Sequence, residues 1–312
     1  MSNGIVVDSI ATAILAAAPV LIAASGELLA ERVGIYNLGI EGSMLLGAFL
    51  AVVGDNATGS LWMGLLFGIA AGAFSSWVFG VLTVTFRAEL VLAGLALFFV
   101  AIGITGSVGE SYVRAAVEAP IPQWNIPLLE SIPYVGPALF HQLSLTYVAF
   151  LLPVGVWFLL YRTSHGLNMR AIGESPATAD VAGIKVNFWR LFYVAVGGAF
   201  AGLGGAFLTL GPVGTWVPNV TAGQGWIALV IVIAASWKPF RLILGALLFG
   251  GLGTIGNVAQ AEGWSIPSQL FSALPYIGTV AVVVLLAWIR LRKSGWPPWP
   301  AALGEAFFRG AD

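Results

Sequence analysis

The 312-residue sequence contains no cysteine and only two histidines, His141 and His165. Disulfide frameworks, thiolate metal sites and thiol catalysis are excluded at once, and two imidazoles so far apart in the chain do not suggest a shared metal. Charge is scarce too. Thirteen basic and fourteen acidic residues make up 9% of the chain against 59% hydrophobic residues, where a soluble domain carries about 25% charged residues. Such a chain cannot cover a core with polar surface, so its solvent has to be a bilayer. A net charge of −1 leaves no nucleic-acid footprint. There is no GxxxxGK[ST] string, so the chain cannot by itself cradle ATP phosphates, and HExxH, paired catalytic carboxylates and nucleophile elbows are missing as well. An intramembrane protease or transferase therefore has no visible chemistry. The match to GxGxxG, GLGTIG at 251–256, lies inside an apolar run without the preceding strand that a dinucleotide fold needs. Close helix packing explains it better, as it explains the four-residue spacing of Gly68 with Gly72 and of Gly198 with Gly202.

What the chain does have is long apolar runs. Runs of about 17–25 residues are the length of a membrane-crossing helix. They fall near 9–26, 37–54, 61–84, 89–106, 144–161, 189–210, 222–237, 241–258 and 269–289. The first, IATAILAAAPVLIAASGE, ends in small residues like a signal peptide. It has no basic residue before Arg32, however, and further runs follow, so it reads as a retained span. The expected fold class is an all-α polytopic membrane protein of about nine transmembrane helices, with eight to ten compatible because the second, seventh and eighth runs are short or rich in glycine. Residues 1–312 read as a single transmembrane domain.

Positive charge sets the expected orientation, since Lys and Arg of short loops stay on the cytoplasmic side. Arg32, Arg87, Arg162, Arg170, Lys185, Arg190, Lys238, Arg241, Arg290, Arg292, Lys293 and Arg309 fall on one side of such a map and only Arg114 on the other. This puts the N-terminus outside, the C-terminus in the cytoplasm, residues 107–143 in an external loop and residues 162–188 in a cytoplasmic region. The external loop, rich in proline and aromatic residues, suggests a half-buried helix and a proline-broken interfacial stretch. Trp124, Tyr134 and Phe140 would lie at headgroup depth.

Polar residues at membrane depth are candidates for function. The stretch GELLAERVGIYNLGIEGSMLLGA at 26–48 carries Glu27, Glu31, Arg32, Asn37 and Glu41, and Gly34, Gly39, Gly42 and Gly47 loosen the helix. Two readings are open: a broken helix beside a translocated solute, or a tight cytoplasmic turn with Asn37 as a cap and Glu41 near the interface. A second glycine- and proline-rich connection, GPVGTWVPNVTAGQGW at 211–226, carries Asn219 and Gln224 and loosely echoes the first, as an inverted internal repeat would. Between the fifth and sixth runs lies RAIGESPATADVAGIKVNFWR at 170–190. Ser175 before Pro176 is an N-cap with proline at the first helical position, and Gly183 is placed to end the helix. Ala177, Val181 and Ile184 share one face of it. A two-turn helix is marginal alone, so it must pack on its own spans or on a partner.

At this point the residues resemble a known family, the membrane permeases of ATP-binding-cassette (ABC) importers, in the branch that includes branched-chain amino acid, ribose and nucleoside permeases. The strings GELLAERVGIYNLGIEGSMLLGA, AELVLAGLAL, IPLLESIPYVGPALF and GLNMRAIGESPATADVAGI are most similar to nucleoside permeases that work with basic-membrane-protein-type lipoproteins, and the similarity runs from about residue 9 to residue 290. The resemblance implies a multi-pass subunit of the bacterial plasma (inner) membrane that forms half of a translocation pathway for nucleosides or a related sugar-containing solute. It implies no catalysis and no cofactor on this chain, with ATP and Mg on a separate ABC ATPase. A second, non-identical permease subunit, an external solute-binding lipoprotein and membrane lipid are the implied partners, and no nucleic acid.

By position, Arg170, Gly173, Glu174, Pro176, Ala179, Asp180 and Gly183 would form the coupling region that meets the ATPase. Family members usually have Asn-Pro where this chain has Ser175-Pro176, and Asp-Gln where it has Ala88-Glu89. For a polar solute with a stackable base, Asn37, Glu41, Gln224, Trp226 and Asn257 are the expected pathway residues. The alternative is an ion-gradient-driven secondary transporter or a channel for a small polar solute. A secondary transporter would usually place ionisable residues deep within a span, where only Glu41 is expected here.

Overall fold

The computed structural model describes residues 3–113, 115–125, 135–262, 267–292 and 300–308. The helices follow the apolar runs. They are α1 (Asn3–Arg32), α2 (Ile40–Thr58), α3 (Leu61–Gly80), α4 (Leu90–Val108), α5 (Val135–Phe140), α6 (Ser144–Arg162), α7 (Ser164–Glu174), α8 (Pro176–Val181), α9 (Val186–Leu208), α10 (Gln224–Ala234), α11 (Pro239–Ala261) and α12 (Ser268–Arg292). Among the described residues seven helices are long and apolar enough to cross a membrane, and Gln224–Ala234 and Ala273–Leu285 are shorter apolar helices. The chain is thus an all-α polytopic membrane protein. The seventh run differs from expectation. Read as a span over 222–237, it forms only the 11-residue α10, about 16 Å long against a hydrocarbon core of about 30 Å. The chain reaches it through a π-helical turn (Thr209–Val213) and irregular backbone.

Small residues decide how the core assembles. Helices α2, α3 and α9 meet on Gly47, Gly68, Gly72, Gly198 and Gly202. A β-carbon on Gly72 would strike Gly198 O, and one on Gly202 would strike Gly68 O, so the backbones are already in contact. The expectation for GLGTIG is corrected in part. Gly256 packs on Phe271, but a β-carbon on Gly251 would meet nothing within 4 Å and one on Gly253 only Pro275 at 3.8 Å. Many large apolar side chains face outward, among them Trp62, Leu92, Phe99, Leu151, Leu244 and Val280, the surface expected of a chain solvated by lipid.

The helix α1 extends beyond its expected end at residue 26 to Arg32, which corrects the placement of Glu27 and Glu31. Both are fully buried in the helix rather than at its margin. Glu27 Oε1 accepts from the Asn37 amide at 2.7 Å and Glu31 Oε2 accepts from Trp237 Nε1. Arg32 donates to Trp237 O at 2.7 Å and Tyr161 Oη at 3.3 Å. These contacts tie α1 to α6 and to the α10–α11 turn at the end of the bundle that gathers the basic residues.

The opposite end carries the 107–143 connection. Its described part holds the short helix α5, with Ala138 buried and Leu139 exposed, and in addition an antiparallel pair, β1 (Gln123–Asn125) with β2 (His141–Leu143), in register Trp124 with Gln142. Buried Asp55, at the end of α2, accepts from the amides of Glu118 and Ala119 at 2.7 and 3.2 Å and so fixes the loop to the bundle. Trp124 stacks on Tyr147 with centroids 6.5 Å apart. Tyr134 and Arg114 lie outside the described residues.

Candidate functional site

The turn between α1 and α2 is built by Asn37. Its Oδ1 accepts from Gly39 N at 2.9 Å and its carbonyl from Ile40 N at 3.1 Å, which starts α2. Its Nδ2 donates to Ser76 Oγ on α3 at 2.9 Å, and Ser43 Oγ closes the group at 2.9 Å from Ser76 Oγ. Of the two readings of this stretch, the tight turn is the observed one, but Asn37 braces the turn and Gly39, not Asn37, is the N-cap of α2. Glu41 is 0% exposed.

The partner of Glu41 is the second polar connection. Glu41 Oε1 accepts from Thr221 Oγ1 at 2.5 Å and from Gly223 N at 2.8 Å, and Oε2 accepts from Gly225 N at 2.7 Å. A carboxylate on α2 thus caps the N-terminus of α10, where the orphan amides and the helix dipole favour negative charge. The approach is close, since a β-carbon on Gly225 would lie 2.7 Å from Glu41 Cα. The segment it holds is strained. Asn219 (φ 56°), Ala222 (φ 45°) and Gly223 (φ 85°) are all left-handed, a conformation that costs a residue with a β-carbon roughly 1–3 kcal/mol. Tyr276 on α12 adds a hydrogen bond from its hydroxyl to Ala222 O.

Beside this clamp lies a cavity of about 530 Å³ lined by Glu41, Phe98, Asn219, Trp226, Tyr276 and Thr279 among others, within the usual range for small-molecule sites. Trp226 is fixed by its Nε1 hydrogen bond to Leu38 O at 3.1 Å and by the edge of Phe98, centroids 4.7 Å apart. Three of the four acceptor positions of the Glu41 carboxylate are used, which leaves one on Oε2. The cavity therefore offers aromatic surface, an amide, a phenol, a hydroxyl and a carboxylate.

Of the expected pathway residues, the structure brings Glu41 and Trp226 together here. Gln224 lines a different cavity of about 350 Å³, with Thr12, Pro19, Pro212, Phe249 and Thr254, so segment 219–224 has a cavity on either side. Asn37 is buried in the turn described above. Asn257 is on α11, and its side chain lies outside the described set. Sequence reasoning did not single out Phe98 and Tyr276. Both sit within apolar runs, where a single aromatic residue carries no signal of what it faces.

At the basic end, Ser175 caps α8 as expected: its hydroxyl accepts from Thr178 N at 3.4 Å and lies 2.7 Å from Thr178 Oγ1. Pro176 is the first helical residue. Gly183 (φ 87°) ends the helix, and Ile184 N returns to Ala179 O at 3.0 Å, closing the turn. Of its two options, the Ala177 and Val181 side of the helix does not pack on the bundle. Ala179 is 2% exposed, whereas Val181 is 91% exposed and Ala177 is also outside.

Gly173 is buried, and a β-carbon there would strike Arg32 O. Arg170 lies over the Tyr161 ring at 5.2 Å and reaches Gly166 O at 3.4 Å, while Glu174 is exposed and Asp180 half-buried. At the Ala88-Glu89 position, Glu89 Oε2 accepts from Leu92 N at 2.7 Å, an N-cap for α4.

Residues 9–294 match the family described as branched-chain amino acid transport system / permease component. The chain is 36% identical to a Haloferax volcanii protein provisionally named a glucose ABC transporter permease, over 95% of this chain and 96% of that one. It is 33% identical to a nucleoside ABC transporter permease of Lactococcus lactis subsp. cremoris (88% and 91% covered) and 33% identical to a guanosine ABC transporter permease of Bacillus subtilis (85% and 87%).

Proposed function

The chain belongs to the permease-component family of branched-chain amino acid transport systems, and from that premise we propose that it is the membrane subunit of an ATP-driven importer of nucleosides or a related sugar-containing solute. The observation that carries the solute class is the cavity beside the clamp. Phe98 and Trp226 offer faces on which a base can stack, and Glu41, Asn219 and Thr279 offer partners for ring hydroxyls. Two relatives named for nucleosides or guanosine and one for glucose agree on a solute that contains or resembles a sugar.

In this reading the basic end is cytoplasmic, and α7–α8 is the coupling element. Val181, Ala177, Thr178 and Glu174 face the cleft of a partner ATPase, while Gly173 and Ala179 seat the element on the bundle. Arg170, Asp180 and the Pro176 and Gly183 boundaries shape it. A solute-loaded lipoprotein docks on the 107–143 face, and ATP closes the ATPase dimer. The coupling helices turn that closure into rocking of two permease subunits about the pathway. Catalysis, ATP and Mg reside on the partner. The Glu41 clamp on α10 holds the strained 219–223 segment in place while solute passes.

Reconstitution in liposomes with its ATPase tests this. Nucleoside uptake should require ATP, and in a panel of labelled competitors nucleosides should outcompete free bases and simple sugars. Gly183→Pro and Glu174→Lys should leave the protein in the membrane and abolish ATP-dependent uptake. Uptake without any ATPase subunit would refute the importer.

A further inference from the structure

The nine residues 300–308 touch nearly every connection at the basic end. Ala302 N donates to Gly173 O at 2.9 Å, next to the coupling element. Gly304 N donates to Gly34 O at 2.8 Å, in the turn that leads into α2 and Glu41. Phe307 lines a cavity with Asp180, Gly183 and Lys185 behind α8, and Arg87 lies 4.2 Å over the ring of Phe308. The anchor is Arg190 on α9, 2% exposed, whose Nε donates to Val33 O at 3.0 Å and whose Nη1 donates to Glu305 O at 2.8 Å.

The fit needs glycine at both contacts. Gly34 has φ 90°, and a β-carbon there would be 2.9 Å from Ala302 O and from Arg190 Nη2. One on Gly304, φ 80°, would be 2.7 Å from the Tyr36 ring.

We propose that segment 300–308 is a strap that carries the displacement of the α7–α8 element to the α1–α2 turn, and that Arg190 is the positioning residue that holds it. The argument rests on the importer reading for what the strap transmits, though not for how it is held. A six-residue α8 with one buried side chain has little grip of its own on the bundle. Two directional backbone hydrogen bonds to Gly173 and Gly34, on one short stretch, link the docking element to the turn whose far side is Glu41. The guanidinium joins that turn to the strap by binding a carbonyl on each, which a lysine could do with only one geometry at a time.

The test uses the full chain assembled with its ATPase and partner permease, in wild type, Arg190→Gln, Gly304→Val and the double variant. Hydrogen exchange at Ala302 and Gly304 should quicken in both single variants while the spans stay protected. Solute imported per ATP hydrolysed should fall by about ten-fold in each, within the range of site-to-site coupling. The double variant should add less than about two-fold, because both changes release the same strap.

Released strap amides with unchanged import per ATP would overturn the link, and additive losses would do the same. Unchanged exchange in Arg190→Gln would overturn the role of Arg190. Loss of ATPase binding in Gly304→Val would make the segment part of the docking surface itself and overturn the strap. A wild-type chain that imports without ATPase would remove the importer reading, and transmission with it, while the exchange measurement would still decide how the segment is held.

Discussion

Two acidic residues of this chain live under opposite rules. Glu41 is fully buried and shapes a segment 180 to 184 residues away in sequence, by accepting from Thr221, Gly223 and Gly225. Glu174 is exposed at the end of α7, and the helix beside it is bounded by Ser175, Pro176 and Gly183, all within ten residues. The first region is held by a long-range, buried side chain. The second is held by local capping chemistry, and one face of it is exposed. A long-range device of this kind concentrates stability in one group, whereas a local one spreads it over several small terms.

The largest effect should therefore come from Glu41. Glu41→Leu leaves a hydroxyl and two amides buried without an acceptor and should cost about 3–5 kcal/mol. A fall in the thermal midpoint in detergent, with faster exchange at 221–225, would record it; an unchanged midpoint would break the contrast. Next is Val181→Asp, which should weaken ATPase binding by about ten-fold, roughly the loss of burying one valine, with no change in the midpoint. A lower midpoint would place Val181 against the bundle instead. Ser175→Ala should cost about 1 kcal/mol locally and Ser175→Asn almost nothing, since both Ser and Asn cap; exchange at 176–181 separates them. Arg170→Gln should be smallest, about 0.5 kcal/mol for an outward cation over Tyr161, and a loss of ATPase binding there would move Arg170 from its own bundle to the partner.

The same contrast explains what could be read in advance. The apolar runs announced the membrane helices, because lipid leaves a backbone few alternatives to helix. Glycines four residues apart announced close helix packing, though not that α3 and α9 are the helices that meet. Ser175-Pro176 and Gly183 announced α8 and its limits, because capping is chemistry between neighbours in sequence. Which side of α8 turns inward was left open, since over six residues the periodicity cannot tell Ala179 from Ala177. The run at 222–237 was read as a span because hydropathy does not register that its first residues are turned by left-handed backbone. The strand pair of the 107–143 region was not legible, because β1 and β2 are three residues each and their pairing depends on contacts that hydropathy does not encode.

By itself, then, the sequence determined that this protein lives in a bilayer, where its helices run, which end is basic and where a short capped helix interrupts the spans. Each of these follows from composition, periodicity or a motif a few residues long. Only the tertiary structure decided that the two polar connections meet, that Glu41 is the cap of α10, that Phe98, Trp226 and Tyr276 share one cavity, and that residues 300–308 are held by Arg190. Those pairings join residues from about 50 to about 190 positions apart, and the free energy of such a contact depends on geometry that no local pattern records.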